Sequence, residues 1–171
     1  MVLTKAEFAS LMRTEIRILN HLLTKVDAGQ LDYRPAANQR SLIELLRYLT
    51  IVGPIHLRGT LASSWSMDSW RKAWNDAESA SRALTLEECK TSIASLSALF
   101  TELLEPCSDQ ELRVETEMFG HKSTRGSWLV SLVLNHYVAY RMQLFLYLKS
   151  AGHPELNTMN LWAGMDMPMK G

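Results

Sequence analysis

Apolar residues recur every three or four positions over four long stretches of this chain, the spacing of a single buried helical face. The first stretch opens on Thr4 and Glu7, the capping-box spacing that ties up free amide donors at a helix start. Phe8, Leu11, Met12, Ile16, Leu19, Leu22, Leu23 and Val26 follow, and Gly29 closes the pattern as a C-terminal cap. A polar connection from Leu31 to Arg40 comes next, where Pro35 pushes Arg34 toward extended backbone. Ser41 and Glu44 repeat the capping spacing, and Leu42, Leu45, Leu46 and Leu49 form the second apolar stripe. Gly53 and Pro54 predict a kink or break, after which Ile55, Leu57 and Leu61 resume the pattern.

Residues 64–81 are rich in Trp, Ser and charge and predict a short helix on a long connection. The third long helix starts at Thr85, with Glu88 three residues on, and buries Ile93, Leu96, Leu99, Phe100, Leu103 and Leu104 before Pro106 stops it. Ser108 and Glu111 have the spacing to cap one further turn, and Val114 to Lys122, with Gly120, predicts a small hairpin. The last helix spans about Ser127 to Ser150, and residues 153–171 read as a loop tail packed on the bundle. The pattern therefore predicts one all-α domain over 1–171: an antiparallel four-helix bundle with a long crossover between the second and third helices. The last helix is apolar nearly all round. Its second face, with Leu134, Val138, Met142 and Phe145, needs a cover from the crossover or from a second subunit.

Composition narrows the partners. Lysine plus arginine number 18 against 18 acidic residues, so no basic surface stands ready to displace counterions from nucleic acid. Trp128 to Leu148 resembles a membrane span in length, but Asn135, His136, Arg141 and Gln143 in its middle argue for a buried core helix. Neither nucleic acid nor membrane is expected as a partner. Cys89 and Cys107 read as free thiols, and the N-terminus has no apolar signal core, so the expected compartment is the cytoplasm.

Three segments carry a family resemblance: Leu31-Asp32-Tyr33-Arg34-Pro35, Arg40-Ser41-Leu42-Ile43-Glu44-Leu45-Leu46, and His136-Tyr137-Val138-Ala139-Tyr140-Arg141-Met142-Gln143 followed by Tyr147 to Gly152. In order and spacing the chain resembles the DinB-like superfamily, also known as YfiT-like metal-dependent hydrolases, from about residue 10 to residue 152. The resemblance implies a four-helix bundle, a homodimer, and a divalent metal, zinc or nickel, held by three histidines. One such histidine would lie seven residues after the serine opening helix two, and the other two would form an H-x-x-x-H pair on the last helix. That pair lies on one helical face, and three imidazoles would leave a fourth position open for water. This chain departs from the pattern at two of three places. Tyr48 and Tyr140 stand where the resemblance implies histidines, and only His136 is retained. A phenol is protonated at neutral pH and is a poor zinc ligand.

The candidate site is accordingly a ligand-binding pocket of Tyr48, His136, Tyr140, Gln143 and Arg141, with no catalytic residue assigned. His136 is the retained metal position and His56, two turns beyond Tyr48, is a replacement ligand. The plainer reading of His136 is a buried imidazole hydrogen-bonded to Tyr48 or to another helix. Arg141 reads equally as an anchor for a carboxylate or for the tail. Trp162 has the character of a groove-docking residue, with Asp166 near the pocket mouth. Trp65, Trp70 and Trp74 fit either a subunit interface or a plug at the bundle end. His21 reads as surface or core, and His121 and His153 as loop residues. No cofactor is required by the residues themselves. Three functions follow in order: a small-molecule-binding bundle derived from a metal site, a metal-dependent hydrolase or thiol transferase with a rearranged ligand set such as His136, His56 and Asp166, and a homodimeric stress-response interaction protein.

Overall fold

The capping boxes at Thr4, Ser41 and Thr85 all form, each with its glutamate reaching back to the cap amide. They start three of the four long helices of a computed structural model that describes residues 3–167. Helix α1 is Lys5–Leu23, α2 is Leu42–Leu61, α3 is Met67–Ser81 and α4 is Leu86–Leu104. A hairpin of β1 (Glu115–Met118) and β2 (His121–Thr124) follows. The chain then runs through α5 (Arg125–Leu129), a π-turn at Val130–Leu134 and α6 (Asn135–Ser150) as one rod.

The fold is all-α apart from that two-stranded hairpin, and α1, α2, α4 and α6 make the bundle. Side-chain contacts give their directions. Lys5, at the start of α1, reaches Glu105 and Asp109 beyond the end of α4, so these two helices are antiparallel. Tyr147 meets the Arg40 carbonyl and Tyr137 the Leu49 carbonyl, so α6 runs antiparallel to α2. Arg47 bonds to Leu84 while Gly53 lies beside Phe100, so α2 and α4 run the same way. The crossover makes this order necessary. Helix α3 carries the chain back along α2, and α4 then starts again from the level where α2 began.

Three elements differ in detail from the sequence expectation. Pro54 does not break α2, which continues as a single helix to Leu61. Most of this helix is buried, and its packing outweighs the one backbone hydrogen bond that proline forfeits. The Tyr137 hydroxyl, completely buried, donates to the Leu49 carbonyl at 3.1 Å, just upstream of the interruption. The short helix expected within residues 64–81 is the 15-residue α3, capped by Ser66. Helix α1 stops at Leu23, where Thr24 caps it, and Gly29 lies in a separate short 3-10 turn.

Gly53 is the tightest point of the bundle. A Cβ there would fall on the Tyr137 ring and hydroxyl and within 2.7 Å of Phe100. The absence of a side chain lets α6 approach α2 closely enough for the Tyr137 bond. The tail packs on α1 through a π-turn at Met159–Ala163, burying Asn160 and Leu161. Met142 and Leu146 of α6 remain exposed, while Phe145 beside them is buried. Among the described residues no helix is long and apolar enough to cross a membrane.

Gly53→Ala is expected to destabilise the protein by roughly 1–3 kcal/mol through overpacking, and Tyr137→Phe by about 1 kcal/mol through the lost hydrogen bond. Urea unfolding of the three proteins measures both. An alanine at 53 that leaves the midpoint unchanged would show that the two helices can separate freely there.

Candidate functional site

The π-turn before α6 decides which face of that helix meets α2. It inserts one residue into the helical repeat, marked by the Asn135 amide bonding to the Val130 carbonyl five residues back. Leu129, Val133 and Tyr137 stay in the core, and His136 and Tyr140 turn toward α2 and α3. The Tyr48 and Tyr140 rings lie 4.7 Å apart, centre to centre. His136 is 6.0 Å from Tyr140 and 6.5 Å from Tyr48. His56, one proline-bearing stretch farther along α2, stands 5.1 Å from His136. The uninterrupted helix is what brings it there.

Three further rings enclose the group. Trp70 and Trp74, stacked at 5.4 Å, come from consecutive turns of α3 and lie 6.0 and 6.1 Å from His56. Trp74 also sits 5.8 Å from Tyr48. Phe119, at the tip of the hairpin, is 5.3 Å from Trp70 and 6.4 Å from His56. It holds φ of 54° beside Gly120 at 78°, the two positive values that a type I′ turn demands. A phenylalanine in that region is strained, and its ring contacts with His56, Trp65 and Trp70 offset the strain. No pattern in the chain points directly to Phe119. The four-residue spacing of Trp70 and Trp74 behind the Ser66 cap was the available clue to theirs.

Two expected pocket residues lie elsewhere. Arg141 faces α1, where it pairs with Glu15 at 2.9 Å, and both side chains are largely buried. Burial raises the Glu15 pKa, opposed by the Arg141 charge. The Trp162 ring lies over this guanidinium at 5.1 Å and stays 60 % exposed, so it does not plug a groove between helices. Gln143 donates to the Tyr147 hydroxyl at 2.7 Å, which in turn donates to the Arg40 carbonyl. It braces the chain entering α2 and does not join the rings. Asp166 is held on α1 by Lys25 at 2.8 Å, with His21 and Asn160 beside it, and does not reach the pocket mouth. His121 is exposed on β2, and His153 bonds to Glu155 in the tail.

The ring cluster is electrically neutral at physiological pH. Burial, then the Tyr140 hydroxyl, push the Tyr48 phenol well above its ordinary range, with Arg40 opposing. Burial, then the charge of His136, lower the His56 pKa to about 4. Burial lowers His136 as well, against a smaller opposing effect of the Leu132 carbonyl. The buried Nδ1 atoms of His56 and His136 and the Nε1 of Trp70 have no hydrogen-bond partner. An unpartnered buried polar group costs about 1–3 kcal/mol. The thiol of Cys89, free like Cys107, is pushed up by burial to about 11 and is no nucleophile at neutral pH.

The metal implied by the resemblance can be tested on this donor set. Two imidazoles stand together, but the other two ligand positions hold the phenols Tyr48 and Tyr140, and Asp166 is absent from the cluster. Among the described residues no group of three His, Cys, Asp or Glu is placed to hold a metal ion. The residues present do not fit a three-ligand centre.

His56 supplies a pH signature. Its folded pKa lies below the unfolded value, so the unfolded chain takes up a proton that the folded chain refuses. Stability is therefore complete above the unfolded value of about 6.5 and falls as the pH drops toward 4. The full loss is about 3 kcal/mol, and His136 adds to it in the same direction. Urea midpoints measured from pH 7.5 to 4 should fall in the wild type, and His56→Phe should flatten that fall. An unchanged slope in the variant would place the proton uptake elsewhere.

Comparison with known proteins fits this architecture. An uncharacterised protein, YjoA, of Bacillus subtilis (strain 168) is 27% identical over 139 residues, which cover 81% of this chain and 85% of YjoA. The crystal structure of the DinB-like YjoA protein from Bacillus subtilis superposes with a TM-score of 0.65 at 20% identity, covering 88% of this chain and 94% of that one. A DinB-like protein from Bacillus cereus ATCC 10987 gives 0.69 at 18% identity, covering 89% and 95%. Both structural likenesses concern the fold. The DinB family model matches residues 1–166, and the chain belongs to the DinB family.

Proposed function

We propose that this DinB-family protein binds a small organic molecule at the aromatic cluster, in the place where the family resemblance implies a metal. One observation carries the reading. Three buried ring nitrogens, on His56, His136 and Trp70, lie without hydrogen-bond partners inside a cluster whose other members are neutral aromatic rings. A site of this composition suits a planar ligand that stacks on the rings and offers hydrogen-bonding atoms to those nitrogens. The imidazoles are neutral near pH 7 and can donate or accept through different tautomers.

A metal-dependent hydrolase or thiol transferase is the second reading, and the same nitrogens favour it, because His56 and His136 are potential ligands 5.1 Å apart by ring centre. It lacks a third ligand, since Asp166 is engaged with Lys25 on another face.

Elemental analysis of protein prepared without a histidine tag separates the two. Well under one equivalent of zinc or nickel is expected after dialysis, with no further change in His136→Ala. Planar heterocycles titrated into the protein are expected to quench tryptophan emission saturably through Trp70 and Trp74, more weakly in His136→Ala and Tyr140→Phe. Near-stoichiometric metal that His136→Ala abolishes would overturn the proposal in favour of the second reading.

A further inference from the structure

We infer that the cavity at the Arg40 end of the ring cluster is an oxyanion subsite, binding the carboxylate or phosphate of a ligand whose planar part lies toward Tyr48. The inference rests on the proposed small-molecule site and names the chemical class of its ligand. The cavity encloses about 450 Å³ between the connection before α2, the first turns of α2 and the end of α3. That volume is in the range of small-molecule pockets, ~300–1,000 Å³. Tyr48 lines it and is the residue that the cavity and the ring cluster share.

Four arginines and two glutamates line this cavity. Arg34 pairs with Glu44 at 3.1 Å, and Arg82 with Glu78 at 3.3 Å. Both glutamates are thereby engaged, and Arg40 and Arg47 have no ion-pair partner among the described residues. Subtracting the two acids from the four bases leaves two positive charges, in a chain whose charges sum to zero overall. The two unpaired guanidiniums are also positioned. Arg47 spends only its Nε, on the Leu84 carbonyl at 2.9 Å, which fixes the side chain and leaves its other donors for a ligand. The guanidinium carbon of Arg40 lies over the Tyr48 ring, 4.1 Å from its centre. The Gln143–Tyr147 relay clamps the Arg40 carbonyl from the opposite side.

Guanidinium forks match carboxylate and phosphate in shape as well as charge. A cationic ligand is disfavoured by the same two charges. A neutral ligand would leave both guanidiniums unanswered. Stacking on Tyr48 and ion pairing to Arg40 and Arg47 lie within one ligand's reach, because Tyr48 forms both the wall of the cavity and the edge of the cluster.

The test titrates the full-length protein at constant ionic strength with sodium phosphate, acetate and benzoate. It follows tryptophan emission, to which Trp74, whose ring is 5.8 Å from Tyr48, contributes. Saturable binding of phosphate or of the carboxylates is expected, and comparing phosphate with acetate tells which oxyanion the subsite prefers. Arg40→Gln should weaken it about tenfold and Arg40→Lys less, since lysine keeps the charge but not the fork. Arg40 is exposed, so these variants should keep the wild-type melting temperature. Arg47→Gln should act in the same direction, and Arg113→Gln, far from the cavity, should not. Tighter binding of benzoate than acetate, lost in Tyr140→Leu, supports both the subsite and the aromatic reading. Equal binding of the two carboxylates that still depends on Arg40 supports the subsite while removing the aromatic reading. No saturable response to any of the three anions, or binding indifferent to Arg40→Gln, overturns the inference.

Discussion

The close approach of α6 to α2 at Gly53 is the constraint on which the candidate site depends. A buried Tyr137 ring occupies the space that any side chain at 53 would take, and its hydroxyl ties to the Leu49 carbonyl. This fixes both the distance and the register of the two helices. One residue before Tyr137 stands His136, and three after it stands Tyr140; on α2, Tyr48 and His56 flank Gly53 on its two sides. Shifting the register by a turn would separate all four rings. The π-turn at Val130–Leu134 serves the same end, because without its extra residue the core face and the ring face of α6 could not both be satisfied.

Around that contact the molecule separates neutral from charged chemistry. Burial moves the Tyr48 phenol and the two imidazoles of the ring cluster away from their charged forms. The arginines collect just outside, at the cavity that Tyr48 borders. On the other face of α6, Arg141 and Glu15 make a buried pair shielded by Trp162. A buried pair of this kind is weak evidence for stability but strongly disfavours separating its partners, so it locks α1 to α6 while leaving the ring face free of charge.

Much of this architecture was legible in the residues, and the exceptions have physical causes. Local signals sufficed for helix starts, because Thr4, Ser41 and Thr85 act through glutamates only three residues away. Pro54 misled because its local penalty is real; what outweighs it, burial along α2, is tertiary. Helical periodicity brought Tyr48, His136 and Tyr140 to one interior but could not exclude Arg141, whose partner Glu15 lies 126 positions away. Phe119 was beyond reach for a similar reason. Its ring enters the cluster from a hairpin tip, and nothing in a dipeptide of Phe and Gly states which way the hairpin folds over.

The two phenols act as a packed pair. Tyr48 and Tyr140 lie against each other at 4.7 Å, so they fill jointly the space between α2 and α6. Restoring an imidazole at either position alone would leave the other phenol in place and open a gap beside it. The neighbour of His136 on the far side is His56, where burial and then the charge of His136 disfavour protonation. The cluster therefore behaves as one packed unit of aromatic surfaces with a few unsatisfied nitrogens. Its chemistry is that of stacking and hydrogen bonding, and any charge a ligand carries must be met at its rim.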